Sequence, residues 1–211
     1  MSIEAILEHL IKRYPVLKVC EKDIQKAGSL IIHSYQNKGK LLTCGNGGSC
    51  SDADHIVTET MKSFVKKRPL ELPFKEQLTA ASKERGALLA SKLEKTLTTI
   101  SLNAHTALIT AISNDIGGDF IFAQQVIGYG REGDVLLGIS TSGNSQNVVD
   151  ACITAKAKGM KVVALLGETG GKMKAYADVA ICVPSAYTPD IQELHLPIYH
   201  ALCVMAEEAI F

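Results

Sequence analysis

The stretch that decides the fold runs from Asp134 to Ser145 and reads Asp-Val-Leu-Leu-Gly-Ile-Ser-Thr-Ser-Gly-Asn-Ser. Its first half is typical of a buried β-strand, and a helical pattern begins after its last residue. A phosphate bound between the two would meet backbone N–H groups and the positive dipole end of the helix. Its other donors would be the hydroxyls of Ser140, Thr141, Ser142 and Ser145. The alternative is an ordinary strand-to-helix loop in which Ser145 caps the helix.

Four other short apolar segments repeat the strand pattern, and helical segments separate them. Residues 134–139 and these four, at 40–44, 98–102, 161–165 and 179–183, predict a parallel sheet of five strands. Apolar residues at helical spacing in residues 2–12 and about 17–36 predict two helices before the first strand. The sequence therefore predicts an α/β fold, a three-layer α-β-α sandwich with added N-terminal helices (residues 1–38), as one domain over residues 1–211.

Composition limits the classes of partner. The chain has 211 residues, 46% of them hydrophobic, and 22 basic and 22 acidic residues give a formal net charge of zero. A neutral chain offers no general electrostatic attraction to nucleic acid or to anionic membranes, so neither is expected as a partner. There is no apolar run near 18 residues and no signal-peptide pattern at the start, which predicts a cytoplasmic protein. The six cysteines are spread without a C-x-x-C pair, and we expect reduced thiols.

A second glycine-containing loop follows the first predicted strand. It reads Gly45-Asn-Gly-Gly-Ser49, in which the glycines allow close approach of the backbone and Asn46 and Ser49 can bind hydroxyls. A tight strand-to-helix turn would account for this loop taken alone. Because parallel strands end at the same edge of a sheet, however, both polar loops fall where ligands bind in such folds. Together they indicate a phosphorylated, hydroxyl-rich ligand such as a sugar phosphate, and the lack of a lysine or Walker pattern argues against a nucleoside triphosphate.

Acid–base chemistry is expected in the helix after that second loop. His55 and Glu59 are four residues apart and share one helix face, which suits a metal pair or an acid/base pair. A solvated pair on a helix surface is the alternative. The segment after the fifth predicted strand adds Gln192, Glu193, His195 and His200.

These motifs together resemble the SIS (sugar isomerase) domain family and, within it, the phosphoheptose isomerases. The resemblance covers most of residues 1–62 and 98–211. It rests on Cys44 to Ser49, His55 with Glu59, Asn114-Asp115, residues 130–145, and Ile191-Gln-Glu-Leu-His195 with His200. It implies a flavodoxin-like sheet, a homotetramer with active sites at subunit interfaces, and interconversion of sedoheptulose 7-phosphate and D-glycero-D-manno-heptose 7-phosphate through an enediol. Such a reaction feeds lipopolysaccharide, capsule or another heptose-containing glycan.

The resemblance also implies roles for individual residues. Glu59 and His200 would be the catalytic acid/base pair. Zn²⁺ would be held by His55, Glu59, Gln192 and His200. The substrate phosphate would bind Ser140, Thr141, Ser142 and Ser145, and the rest of the substrate would contact Asn46, Gly47, Gly48, Ser49, Asn114, Asp115 and Gln192.

Helix geometry complicates the metal set. Gln192 and His200 are eight residues apart, so a straight helix separates them by about 12 Å of rise and roughly 80° of rotation. Both reach one ion only by leaning together. Pro197 could help through a kink or a late helix start, and a site shared between subunits is another solution. His195 matches neither spacing. A packed histidine is favoured there over a contact to a metal ligand or to substrate.

Three departures from the family pattern concern the substrate. Ser63 stands where the family has an arginine that helps to bind substrate, and Lys62, Lys66, Lys67 or Arg68 could compensate. Residues 64–97 form a longer segment than usual, and periodicity over 74–95 predicts an added helix that caps the active site, extends a subunit contact or is a plain surface insertion. Pro189 replaces an acidic residue, which bears on the identity of the sugar.

Two other functions remain open. One is a non-catalytic SIS protein that binds a partner such as a replication initiator, although the retained His55, Glu59, Gln192 and His200 favour an enzyme. The other is a SIS isomerase of a different phosphosugar, which the altered segment after Glu59 would fit.

Overall fold

The structure, a computed structural model, describes residues 2–211. Its five strands are parallel and form one sheet in the order β2-β1-β3-β4-β5. The bounds are β1 (Leu41–Gly45), β2 (Thr99–Ser101), β3 (Val135–Ser140), β4 (Lys161–Leu166) and β5 (Val179–Cys182). The five predicted strands and the three-layer α/β architecture are confirmed.

Alternate residues of each strand point to opposite faces, and each face has its own apolar core. Leu137 and Leu165 belong to one core, whereas Leu136 and Leu166 belong to the other. Helices that supply the first core are α1 (Ile3–Arg13), α2 (Glu21–Gln36), α3 (Gly48–Thr60) and α9 (Thr188–Ile210). The second core is covered mainly by α7 (Ile121–Tyr129) and α8 (Gln146–Ala157). Because both faces are covered, β1, β3, β4 and β5 are mostly apolar, whereas the short β2 is Thr-Ile-Ser.

The N-terminal helices are present, with one change at their junction. Residues 15–20 form a 3₁₀ turn, and α2 begins at Glu21 rather than at the expected position 17. Pro15 stands at the start of that turn, where its fixed φ is accepted and its missing N–H costs nothing. No helix within residues 2–211 has both the length and the apolar character that crossing a bilayer requires.

The added segment is helical, as expected, but it forms two short helices instead of one over 74–95. They are α4 (Leu72–Ala81) and α5 (Lys83–Lys92), and the break falls at Ser82, whose backbone is extended. Gly86 packs against the Leu78 backbone, where a side chain would clash, so the two helices fold back on each other. A bridge between Pro69 and Glu94 closes the base of this hairpin.

The sheet order places the two polar loops side by side. β1 lies between β2 and β3, so the chain changes direction across the sheet at the β1–β3 boundary. In open parallel sheets the crevice at this switch point, outside the carboxyl ends of the strands, is where ligands bind. The loops after β1 and β3 both open into that crevice.

Candidate active site

Reciprocal side-chain bonds join the Gly45–Ser49 loop to the first turn of α8, which follows the Ser140–Ser145 loop. The Asn46 amide donates to Asn147 Oδ1 at 2.8 Å, and the Asn147 amide donates back to Asn46 Oδ1 at 3.0 Å. Asn103, which follows β2, accepts from the backbone N–H of Gly45 and donates to the Gly45 carbonyl. The first loop is therefore held from both sides.

The Ser140–Ser145 loop folds around its own hydroxyls. Ser140 Oγ accepts from the N–H of Gly143 at 3.1 Å and lies 3.3 Å from Ser145 Oγ. Gly143 has a φ of +65°, and a side chain there would strike the Gly170 backbone, so glycine is required. Ser145 makes no side-chain capping bond to α8, which removes the main support for an ordinary capped loop.

Three helices begin around these loops without a side-chain cap. They are α3, α8 and α9. The Asn46–Asn147 pair links the starts of α3 and α8, and the Gln192 amide packs onto Gly48, linking the starts of α9 and α3. The backbone N–H groups of Gln146 and Asn147 have no acceptor within residues 2–211. Free N–H groups and converging helix dipoles make this crevice suitable for an anion.

An acid–base cluster lies further along α3 and α9. His55 Nε2 is 3.1 Å from Glu59 Oε1, and the rings of His55 and His200 meet edge to face with centroids 5.0 Å apart. Glu59 is only 9% exposed. Burial and then the neighbouring His55 lower the pKa of His200, whose Nε2 is buried without a hydrogen-bond partner within residues 2–211. The structure thus brings together three of the predicted site residues.

Two further contacts reach the Glu59 carboxylate. The Thr58 hydroxyl donates to Oε1 at 3.1 Å, and Lys62 Nζ is 3.6 Å from Oε2. Lys62 is largely exposed, so its ammonium can also meet a ligand. Of the four cations considered as substitutes for the family arginine, Lys62 is the one whose charge lies near the Glu59 carboxylate.

Arg68 and Ser63 have structural roles instead. The Arg68 guanidinium is buried, donating to Glu207 Oε1 at 2.7 Å and to the carbonyls of Thr60 and Glu59. The Ser63 hydroxyl accepts from the Arg68 N–H. Neither side chain is therefore free for substrate, and the suggestion that Arg68 compensates at position 63 is wrong.

Sequence reasoning missed two polar side chains beside His55. The Tyr199 hydroxyl is 2.9 Å from His55 Nδ1 and donates to Asp52 Oδ1 at 3.3 Å. Burial raises the pKa values of both Tyr199 and Asp52. The spacing of Asp52, three residues before His55 on one helix face, is the signal that could have revealed it.

Gln192 is apart from that cluster within one chain. Its amide lies at Gly48, seven residues before His55 on α3, which is about 10 Å of helix rise. Helix α9 is continuous from Thr188, so a late start that would bring Gln192 and His200 together is wrong. Pro189 falls in the first turn, where proline is accepted, and so starts this helix.

Asn114 and Asp115 are also apart from the cluster. They lie exposed at the end of α6 (Thr106–Asp115), where the Asn114 amide donates to Asp115. No hydrogen bond within residues 2–211 joins either side chain to the two loops. His195 is completely buried, which confirms the packed histidine, and burial lowers its pKa to about 4.

Comparisons with known proteins agree on one family. A model described as "SIS domain" matches residues 9–101 and 94–167. A phosphoheptose isomerase from a Nitratiruptor species is 39% identical over 204 residues, which span 97% of this chain and 95% of the relative. A solved phosphoheptose isomerase from Neisseria gonorrhoeae is 34% identical with a TM-score of 0.74, and 98% of this chain and 97% of that chain are covered. One from Francisella tularensis is 31% identical with a TM-score of 0.76, covering 98% and 96%.

Proposed function

The chain belongs to the SIS domain family and, within it, to the phosphoheptose isomerases, and from that premise we propose that it interconverts sedoheptulose 7-phosphate and D-glycero-D-manno-heptose 7-phosphate. The chain is a sugar-phosphate isomerase. One observation carries the finer proposal: α3, which begins beside the uncapped, hydroxyl-rich loop, also carries a buried carboxylate in contact with His55, whose ring meets that of His200. A substrate with a phosphate at one end and a carbonyl at the other fits between them.

The phosphate is assigned to the Ser140–Ser145 loop. The hydroxyls of Ser140, Thr141, Ser142 and Ser145 and the free N–H groups at the start of α8 supply donors without a fixed cation. The sugar hydroxyls would bind in the adjoining part of the crevice, at Asn46, Gly47, Gly48, Ser49 and Gln192, of which Ser49 is buried in the single chain.

Glu59 is assigned the transfer of the proton between carbons. In the ketose-to-aldose direction, it would remove a proton from C1 while O2 gains one, which forms a cis-enediol. It would then return the proton to C2 as the O1 proton leaves. His200 would move the protons between the oxygens, because burial favours its neutral form, which can both donate and accept.

The donor set is suitable for Zn²⁺. The 3.1 Å between His55 Nε2 and Glu59 Oε1 is close to the roughly 3.3 Å that separates two ligands of a tetrahedral zinc ion, and His200 supplies a buried nitrogen without a partner. As the side chains stand, no three His, Cys, Asp or Glu groups within residues 2–211 could hold one ion. Binding through His55, Glu59 and His200 therefore requires side-chain rearrangement. Bound zinc would polarise the substrate carbonyl.

Assembly would complete the site. Gln192 as a fourth ligand, and Asn114 and Asp115 as sugar contacts, lie away from the acid–base cluster of their own chain. We therefore propose a homotetramer whose active sites form at subunit interfaces, in the cytoplasm. Oligomeric state in solution tests the first part directly.

The test is turnover of sedoheptulose 7-phosphate by protein of measured zinc content. Glu59→Gln and His200→Ala should each lower kcat by at least about a hundredfold, because each removes a proton-transfer group. Glu132→Gln and His33→Ala, which change exposed residues outside the site, serve as controls and should keep full activity.

The other outcomes separate the alternatives. Folded, zinc-loaded protein that is inactive on this substrate but active on another phosphosugar would identify a different SIS isomerase. Protein inert towards all of them even after zinc addition would favour the non-catalytic, partner-binding function.

A further inference from the structure

Three side chains form a hydrogen-bonded series that leads into the acid–base cluster. Asp52 and His55 lie on α3, and Tyr199 reaches between them from α9. Its hydroxyl is 3.3 Å from Asp52 Oδ1 and 2.9 Å from His55 Nδ1. Tyr199 is only 1% exposed, so water does not replace either contact.

The single proton of the Tyr199 hydroxyl can be directed to Asp52 or to His55, and each direction leaves a different tautomer of His55. A phenol has one proton to donate, whereas an ionised carboxylate can only accept. When the Tyr199 proton is directed to Asp52, the phenol oxygen accepts from His55, so Nδ1 carries the imidazole proton. The other ring nitrogen, Nε2, then presents a lone pair to Glu59 Oε1 at 3.1 Å.

We propose that Asp52, acting through the Tyr199 hydroxyl, holds His55 as the Nδ1-protonated tautomer and thereby presents an unprotonated Nε2 to the reaction site. Tyr199 and Asp52 are positioning residues, since they act on Nε2 only through the opposite ring nitrogen of His55. In this direction Nε2 and Glu59 Oε1 face each other as two acceptors at 3.1 Å, an arrangement that a cation between them would stabilise. This gives a reason, independent of family resemblance, for a cation there. Its catalytic consequence rests on the proposed function.

Ring contacts add a steric part to this positioning. The Tyr199 ring meets the His55 ring at 5.5 Å and the His200 ring at 5.1 Å, both edge to face. Removing only the hydroxyl therefore keeps the packing and tests the hydrogen bond by itself. Tyr199→Phe is that variant. Asp52→Asn instead replaces the carboxylate that accepts the Tyr199 proton.

Tyr35→Phe is the matched control. The Tyr35 hydroxyl bonds Thr99 Oγ1 at 2.7 Å, outside the site, so its loss should cost similar stability without touching His55. The first readout is the ¹⁵N spectrum of histidine-labelled, metal-free protein, at about pH 8, where a histidine of ordinary pKa is neutral. The second is zinc affinity by competition with a chelator.

The wild type and Tyr35→Phe should show His55 protonated at Nδ1. Tyr199→Phe should lose the preference for the Nδ1-protonated tautomer. Asp52→Asn should increase the Nε2-protonated tautomer, because the introduced amide can donate to the Tyr199 oxygen and the phenol proton can then be donated to His55 Nδ1. Zinc affinity should fall about 10- to 100-fold in both variants, with kcat reduced more than KM.

His55 protonated at Nε2 in the wild type, or a tautomer unchanged in both variants, would overturn the inference. The tautomer readout needs neither zinc nor turnover. The protein could therefore show the expected tautomers and still not isomerise the heptose phosphate. That result would support this inference and reject only the proposed function.

Discussion

The side-chain amide of Gln192 lies against the α-carbon of Gly48, in space that a β-carbon on residue 48 would occupy. This contact joins the first turns of α9 and α3.

Gly48→Ala should displace the Gln192 amide and lower kcat/KM by about tenfold, while thermal stability stays the same or rises, because alanine favours the helix. Combined with Gln192→Ala, the substitution should cost no further activity. Gly128→Ala is the control, since a β-carbon on this helical glycine meets nothing within 4 Å. Additive losses in the double variant would show that Gly48 acts independently of Gln192.

Ser145→Ala should raise KM for the sugar phosphate by about 10- to 100-fold, because a hydrogen bond to a charged group contributes about 1.5–3 kcal/mol. Inhibition by inorganic phosphate should weaken in parallel. Ser51→Ala, at an exposed position on α3, should change neither constant. Steady-state kinetics with and without phosphate make the measurement, and an unchanged phosphate inhibition constant would move the phosphate away from this loop.

Lys62→Met should raise KM and leave the fold intact, because the exposed ammonium near Glu59 Oε2 is available to substrate oxygens. The expected effect is about 5- to 50-fold, in the range of a charge-assisted hydrogen bond. Lys67→Met is the matched control, since Lys67 is even more exposed and pairs with Glu94 instead. Equal kinetics for the two variants would show that Lys62 does not meet substrate.

Arg68→Met should destabilise the fold by about 3–5 kcal/mol, because it leaves the buried Glu207 carboxylate without its cation. Adding Glu207→Gln should recover part of the loss. Urea unfolding of the single and double variants measures both effects. A loss under about 1 kcal/mol would mean that the three backbone donors at residues 64–66 are enough for Glu207.

Glu207 should also make stability depend on pH. Burial raises the pKa of its carboxyl, but the N–H groups of Phe64 and Val65, the Arg68 guanidinium and the Lys66 N–H together lower it below the ordinary value of 4.5. The unfolded chain therefore binds the proton first as pH falls. The stability that Glu207 contributes at neutral pH should decline as pH falls through 4.5 toward the folded-state value.

The measurement is the free energy of unfolding of the wild type and Glu207→Gln at about pH 7 and about pH 4. The difference between the two proteins should shrink at the lower pH. Parallel declines would assign the acid sensitivity to other carboxylates.

Local pattern was sufficient for the elements and for the loops at the crevice. Short apolar segments bounded by polar residues and glycines located all five strands. Because parallel strands end at the same edge of a sheet, the loops Gly45–Ser49 and Ser140–Ser145 were expected at one edge. Periodicity did not predict two local features, the helix break at Ser82 and the 3₁₀ turn that starts at Pro15. Both depend on the backbone dihedral angles of single residues, which the spacing of apolar residues does not determine.

The sequence by itself determined the α/β class, the strand sites and the residue types at the crevice, because these depend on spacing within one segment. Only the tertiary structure decided which distant side chains meet. It placed Tyr199 between Asp52 and His55, buried Arg68 against Glu207, and seated Gln192 on Gly48 rather than beside His200. Each of those contacts joins residues more than a hundred positions apart, and the packing of α9 against α3 and the turn that follows it brings them together.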